Sequence, residues 1–278
     1  MKRIIQYLSK ICLVTLFLLC PVFSLAQEGD LQQETSTSSA DELAKKLQNP
    51  IASLISVPFQ ANFDFGIGPA DGSRFLMNIQ PVIPMSLSED WNLIARVILP
   101  ITSQNDVFGM SGNQTGLGDA VVSSFFSPKE PTSGGLIWGA GPVLLVPTAT
   151  DELLGTEKFG IGPTAVGLKQ IGDLTVGALV NHIWSVAGDD DRADVNATFI
   201  QPFIAKNFSG GYALTLNTEL TQSWDYNATS GYLHLIGSKV VQIGPQLAQV
   251  AIGPRIPYGN ANTADWGFRA AFVLLFPK

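Results

Sequence analysis

Cysteine is almost missing from this 278-residue chain, and the two that occur, Cys12 and Cys20, both fall within the first 26 residues. If that segment is removed, the remainder has neither disulfides nor thiol chemistry. Charge is scarce as well, at 14% of residues, and histidine occurs only as His182 and His234. The balance is acidic, 23 residues against 16 basic ones, which argues against nucleic acid as a partner and against a basic grip on anionic lipid. Beyond residue 26 no apolar run approaches the roughly 20 residues that a spanning helix requires. Yet 46% of the residues are hydrophobic and the mean hydropathy is +0.23. A chain this apolar without spanning helices either buries a large sheet or turns one face to lipid.

The first 26 residues have the layout of a secretory signal peptide. Lys2, Arg3 and Lys10 come first, an apolar run from Ile11 to Leu19 follows, and Pro21 and Ser24-Leu25-Ala26 lead to Gln27. A spanning helix competes for the same residues but is too short and is interrupted by Pro21, and a lipid anchor at Cys20 would have to tolerate the bulky Leu19 before it. Removing the three basic residues leaves 13 against 23 acidic ones, a net charge of −10. Residues 27–40 are rich in Gln, Ser and Thr and read as a linker. Asp41 to Gln48 places acids first and lysines last, which suits a short helix, and Pro50 closes it. The expected organisation is a signal peptide at 1–26, a periplasmic linker and helix at 27–54, and a β-domain at 55–278.

The β-domain resolves into twelve runs of alternating polarity separated by Gly, Pro, Asn, Asp and Ser clusters. They span about 56–67, 73–86, 91–101, 115–127, 135–146, 159–170, 174–185, 193–205, 212–222, 229–239, 246–256 and 266–276. Most run 11 to 14 residues, beyond the five or six typical of soluble strands and at or above the roughly 9–11 that a tilted membrane strand needs. Connections alternate between tight ones, such as Leu87 to Asp90 and Ile171 to Asp173, and longer ones, such as Thr102 to Gln114 and Pro147 to Lys158. Short periplasmic turns opposite longer outer loops make that alternation, and an even strand count returns both ends to one side. The expected fold is all-β, a transmembrane antiparallel up-and-down barrel in the outer membrane of a Gram-negative cell. A soluble β-sandwich would also alternate.

Each clean run has one greasy and one polar face. Val57, Phe59, Ala61, Phe63, Phe65 and Ile67 oppose Gln60, Asn62 and Asp64; Trp266, Phe268, Ala270, Phe272, Leu274 and Phe276 oppose Arg269. Pro81, Pro202 and the mixed run from Tyr232 to Val240 break this phase. With the polar faces turned to the axis, the candidate lumen-lining residues are Gln60, Asn62 and Asp64, then Arg74 and Asn78, Arg96, Asp119, Lys169, Glu219, His234, Gln249, Arg255 and Arg269. Trp91, Phe126, Trp138, Phe159, Trp184, Tyr212 and Trp266 fall near run ends, as interfacial aromatic girdles require.

Phe268-Arg269-Ala270-Ala271-Phe272-Val273-Leu274-Leu275-Phe276 resembles the terminal signal by which outer-membrane barrels engage the barrel-assembly machinery, except that Pro277-Lys278 follows the aromatic. The stretch from Leu47-Gln48-Asn49-Pro50 through Ser56-Val57-Pro58-Phe59-Gln60 to Asn62-Phe63-Asp64-Phe65-Gly66-Ile67-Gly68 resembles the opening of a bacterial family. Its members are described as phenol-degradation-pathway, or MetA-pathway, outer-membrane or transporter proteins, some mislabelled neuromedin U. The resemblance covers the whole β-domain and implies the barrel and its location. It carries over no binding residue.

Three functions remain on these grounds. The lumen conducts a small solute, hydrophobic or aromatic as the resemblance implies; or ion pairs fill it and the barrel is structural or adhesive; or the barrel modifies lipid. Twelve strands lie between the packed eight-stranded barrel and the aqueous sixteen-stranded one. The lipid-enzyme reading needs a serine activated by histidine on the same face, and the same-face neighbours of His182 and His234 along their own strands are Val180, Trp184, Tyr232 and Ile236. No cofactor or metal is expected. Gly66-Ile67-Gly68-Pro69 and Gly160-Ile161-Gly162-Pro163 open no helix and read as strand ends rather than phosphate loops, and Asp189-Asp190-Asp191 with Asp194 lacks calcium-loop spacing and reads as an outer loop.

Overall fold

The computed structural model describes residues 40–277. The expected signal peptide at 1–26 and residues 27–39 of the linker lie outside the described residues. Residues 40–47 form a helix, α1. The strands follow as β1 (Ile55–Ile67), β2 (Gly72–Ile79), β3 (Val82–Ser86), β4 (Trp91–Asn105), β5 (Asn113–Leu117), β6 (Ala120–Pro128) and β7 (Leu136–Val146). Then come β8 (Lys158–Ile171), β9 (Leu174–Gly188), β10 (Asn196–Phe208), β11 (Tyr212–Ser223), β12 (Ala228–Ile243), β13 (Gln246–Tyr258) and β14 (Trp266–Phe276).

All pairings are antiparallel, and β1 closes on β14 from Ile55 opposite Phe276 to Phe65 opposite Trp266, giving a closed twelve-stranded barrel. The segments reduce to twelve staves because two staves are each written in two pieces. Between β2 and β3, Pro81 has no amide to donate, but the register is kept, with Ile79 opposite Phe59 and Val82 opposite Ser56. Between β5 and β6 the chain carries one extra residue, since Leu117 to Val121 faces only Ile101 to Ile98. This is a β-bulge, and it reverses the side-chain phase of the stave. Gly160 to Pro163 lies inside β8, with Pro163 opposite Pro142, so that motif is not a strand end. A Cβ on Gly162 would stand 1.7 Å from the His182 carbonyl oxygen, which is why glycine sits where β8 crosses so close to β9.

Several staves run past the alternating sequence at the long-loop end. There Ser103–Thr115, Gln104–Gln114 and Asn105–Asn113 side chains hydrogen-bond across β4 and β5 at 3.0, 3.2 and 2.7 Å. Such a polar ladder carries no apolar contrast, so periodicity cannot register it. The outward face below is apolar: Ile200, Ile204, Leu214, Leu216, Leu233, Leu235, Val250, Ile252 and Ile256 are all exposed. Across the closing seam Phe63 stacks on Phe268 at 4.4 Å and Phe65 on Trp266 at 4.6 Å, while Trp91 meets Trp138 edge-on near the short-turn end. An apolar band between aromatic rings is the surface of a barrel standing in hydrocarbon.

α1 lies inside the barrel at its short-turn end. Leu43 and Ala44, with Leu54, pack on the inward Val240, Val273 and Leu275. Ile51 reaches farther in, onto Ile94, Phe125, Val166 and Leu179. Leu43, Leu54 and Ile51 each contribute about 1.5–3 kcal/mol on burial, so the segment is anchored by hydrophobic contact. Polar ties fix its rotation: Asp41 Oδ1 accepts from the Gly211 amide at 2.6 Å, and Gln170 Nε2 donates to the Lys45 carbonyl at 3.0 Å. Gly211 adopts a φ of 75°, and a Cβ there would come within 3.2 Å of Ala40 Cβ, so glycine serves both the turn and the close helix.

Candidate functional site

The lumen has two unlike walls. On the wall formed by β1, β2 and β11–β14 each stave carries at least one inward charge, amide or imidazole, and closure of the barrel joins Asp64, Arg74, Asn62, Asn217, Glu219, His234, Arg255 and Arg269 into one network. Asp64 is fully buried and accepts from Arg255 Nε at 2.7 Å, Arg74 Nη2 at 3.3 Å and the Tyr232 hydroxyl at 3.3 Å. The Arg255 guanidinium lies 3.2 Å above the Tyr232 ring. Its Nη1 stands 3.2 Å from His234 Nε2. Arginine can only donate, so Nε2 is the acceptor and Nδ1 carries the proton toward Asn217 Oδ1 at 2.9 Å. Glu219 takes a two-pronged contact from Arg269 at 2.7 and 2.9 Å, and Arg269 Nε donates to Asn62 Oδ1 at 2.7 Å. Arg255 Nη1 lies 3.7 Å from Glu219, joining the two halves of the chain of charges.

The opposite wall, from β4 and β6–β10, is mostly apolar, with Arg96, Ser123, Asn181 and Gln201 as inward polar residues beside the cavity. Ile94, Phe125, Val166 and Leu179 form one buried cluster, and Val143, Leu145 and Ile183 form another. Between the walls lies a cavity of about 410 Å³, whose lining includes the polar Gln60, Asn78, Gln80, Arg96, Gln201 and Glu219 and the apolar Ile98, Val121, Leu145, Leu179, Ile183 and Phe199. Thr156 and Val195 of the long loops reach its upper rim. A second cavity of about 220 Å³ lies toward α1, bordered by Leu47, Pro50, Leu54, Gln249 and Val273. Gln80, Arg96 and Gln201 border both cavities, and together they are the partition between them.

Gln60, Asn62, Asp64, Arg74, Asn78, Arg96, Glu219, His234, Gln249, Arg255 and Arg269 all point inward, in contact with the network or with a cavity. Asp119 does something else. Its carboxylate accepts from the Thr156 amide at 2.6 Å, the Thr156 hydroxyl at 2.7 Å and the Ala149 amide at 3.3 Å, so it holds the loop 147–157. Lys169 corrects the sequence expectation: it is exposed and outward near the short-turn end. The buried Thr164, Val166 and Leu168 set the inward phase of β8, and Gln170, not Lys169, continues it to α1.

Gln80 and Gln201 were not among the candidates, although each immediately precedes a proline that interrupts its stave's pattern, Pro81 or Pro202. Missing too was Lys158, inward on β8 and only 3.1 Å from Asp194 in the loop 189–195. The hydrogen bond from Lys158, reinforced by one from Ser185, holds the Asp194 carboxyl below its usual range. Arg192 of the same loop donates to the Glu152 and Gly155 carbonyls at 2.6 Å, clasping it to the loop 147–157.

His182 stands outward, with Nδ1 2.7 Å from Thr198 Oγ1 and its ring 4.0 Å from Trp184. Its Nε2 is buried without a partner. Thr198 also accepts from Trp224 Nε1 at 2.8 Å. Among the described residues neither histidine contacts a serine, and His182 has no third group orienting its ring, as an activated nucleophile requires.

No protein-family model and no curated protein matches the chain. Among solved structures it is similar to the COG4313 outer membrane channel from Pseudomonas putida F1, at 16% identity and a TM-score of 0.63, over 80% of this chain and 94% of that one. The β domain of the Bordetella autotransporter BrkA aligns at 12% identity and a TM-score of 0.44, over 81% of this chain and all of that one. At 16% identity the likeness to that channel concerns the fold. It agrees with the closed barrel read from strand pairing.

Proposed function

We propose that the chain is an outer-membrane channel through which small solutes cross passively. The observation that carries this reading is the cavity inside the barrel, bordered by long-loop residues above and divided by Gln80, Arg96 and Gln201 from a second cavity beneath. The apolar outer band with its aromatic rings supports residence in a bilayer, and the similar barrel from Pseudomonas putida F1 is an outer membrane channel. A mostly apolar half-lumen also fits the solute expected from the phenol-pathway resemblance, one with a hydrocarbon or aromatic body. A second reading, a structural barrel with a closed lumen, is favoured by α1 in the short-turn mouth. Conductance and liposome swelling with the purified protein test the two. The channel reading expects solute-dependent swelling that grows when residues 40–54 are deleted; no swelling with either protein leaves the closed barrel.

A further inference from the structure

We infer that Arg96 is the recognition site for the anionic head of a small amphiphile, a monocarboxylate whose apolar body lies on the β6–β10 wall. This rests on the channel reading and names the class of solute. Among the described residues the inward arginines at membrane depth are four, Arg74, Arg96, Arg255 and Arg269, and the carboxylates that answer them are two, Asp64 and Glu219. Both carboxylates are already engaged, Asp64 by Arg255 and Arg74, Glu219 by Arg269 and Arg255. Among the described residues Arg96 makes no ion pair; its hydrogen bond goes to the neutral amide oxygen of Gln80 at 2.7 Å. Glu219 lines the same cavity but is held by Arg269 and Arg255, so the Arg96 guanidinium retains donors and has no directly paired carboxylate at the partition between the two cavities.

A charge in that position is costly without a counter-ion, and a carboxylate matches the planar donor fork of arginine. Behind the fork, Ile98, Val121, Leu179 and Phe199 offer hydrocarbon to the rest of the ligand. The cavity volume of about 410 Å³ is near the lower end for small-molecule sites, so the ligand is small. Because Arg96 borders both cavities, a solute held there stands at the partition that faces α1. A cation of the same size meets like charge instead.

Calorimetric titration of the full-length barrel in detergent tests this with three probes of one body, benzoate, benzyl alcohol and benzylamine. Benzoate is expected to bind at least about tenfold more tightly than the other two, as a charge-assisted pair to one arginine implies. Arg96→Gln should abolish that preference and Arg96→Lys should keep part of it. Equal binding of the three probes, or a benzoate preference unchanged in Arg96→Gln, overturns the proposal. Should Arg96→Gln fail to fold, Arg96→Lys carries the test through a reduced but surviving preference, with an unchanged or absent one counting against it. Swelling is read separately: flux without anion preference leaves the channel and removes the site, whereas preference without flux leaves the site and removes the channel.

Discussion

The two walls of the lumen differ in how they tolerate change. On the β1, β2 and β11–β14 wall, stability depends on a few point contacts among buried charges, each of which is costly to leave alone. On the β4 and β6–β10 wall it is spread over many weak contacts among Ile94, Phe125, Val143, Val166 and Leu179. One wall can lose a methyl group and relax; the other cannot lose a carboxylate without stranding an arginine. The mixed cavity exists because a closed ring of staves forces these two surfaces to face each other.

The largest test of this contrast is Asp64→Ala. It strands Arg255, Arg74 and Tyr232, and a cost of about 3–5 kcal/mol is expected from breaking a buried pair, read by urea titration of heat-modifiable electrophoretic mobility. Leu179→Ala on the opposite wall should cost less, about 2 kcal/mol, near the low end for such truncations, since the side chain already borders open space. If the apolar truncation proves the costlier, the contrast between the walls is wrong. Ile51→Ala should leave barrel stability nearly unchanged but loosen the inserted segment, because it removes its deepest contact with Ile94 and Phe125. More frequent open events in single-channel recordings would show this, and an unaltered trace would mean that the segment does not occlude.

The smallest effect concerns pH and lies outside both walls. Asp194 titrates below its ordinary value because of Lys158. Its contact is thus fully present above a pH of about 4 and is lost as pH falls below that range. The side chain is 73% exposed, so screening keeps the contribution slight. The difference in melting temperature between the protein and Asp194→Asn should shrink on acidification below pH 4; a difference independent of pH removes the ion pair from the account.

Sequence alone determined the staves, because a strand's two-residue period turns burial into a visible alternation, and turn residues mark where it stops. The runs at 266–276 and 212–222 agree with β14 and β11 to within a residue. The same logic put Asp64, Glu219, Arg255 and Arg269 on the polar faces. It failed at Lys169, where a polar residue stands on the outer face near the membrane edge and the period carries no contrast to assign it. It also failed at the bulge between β5 and β6, where one added residue reverses the phase. Only the tertiary structure decided which charges meet: Asp64 and Arg255 are 191 residues apart and join through closure of β1 on β14 and the pairing of β14 with β13. It likewise decided that α1 enters the mouth and that Arg96 is left without a carboxylate. A local pattern encodes the face a side chain turns to; a partner across the lumen depends on how many staves close the ring and in what register, which no single segment records.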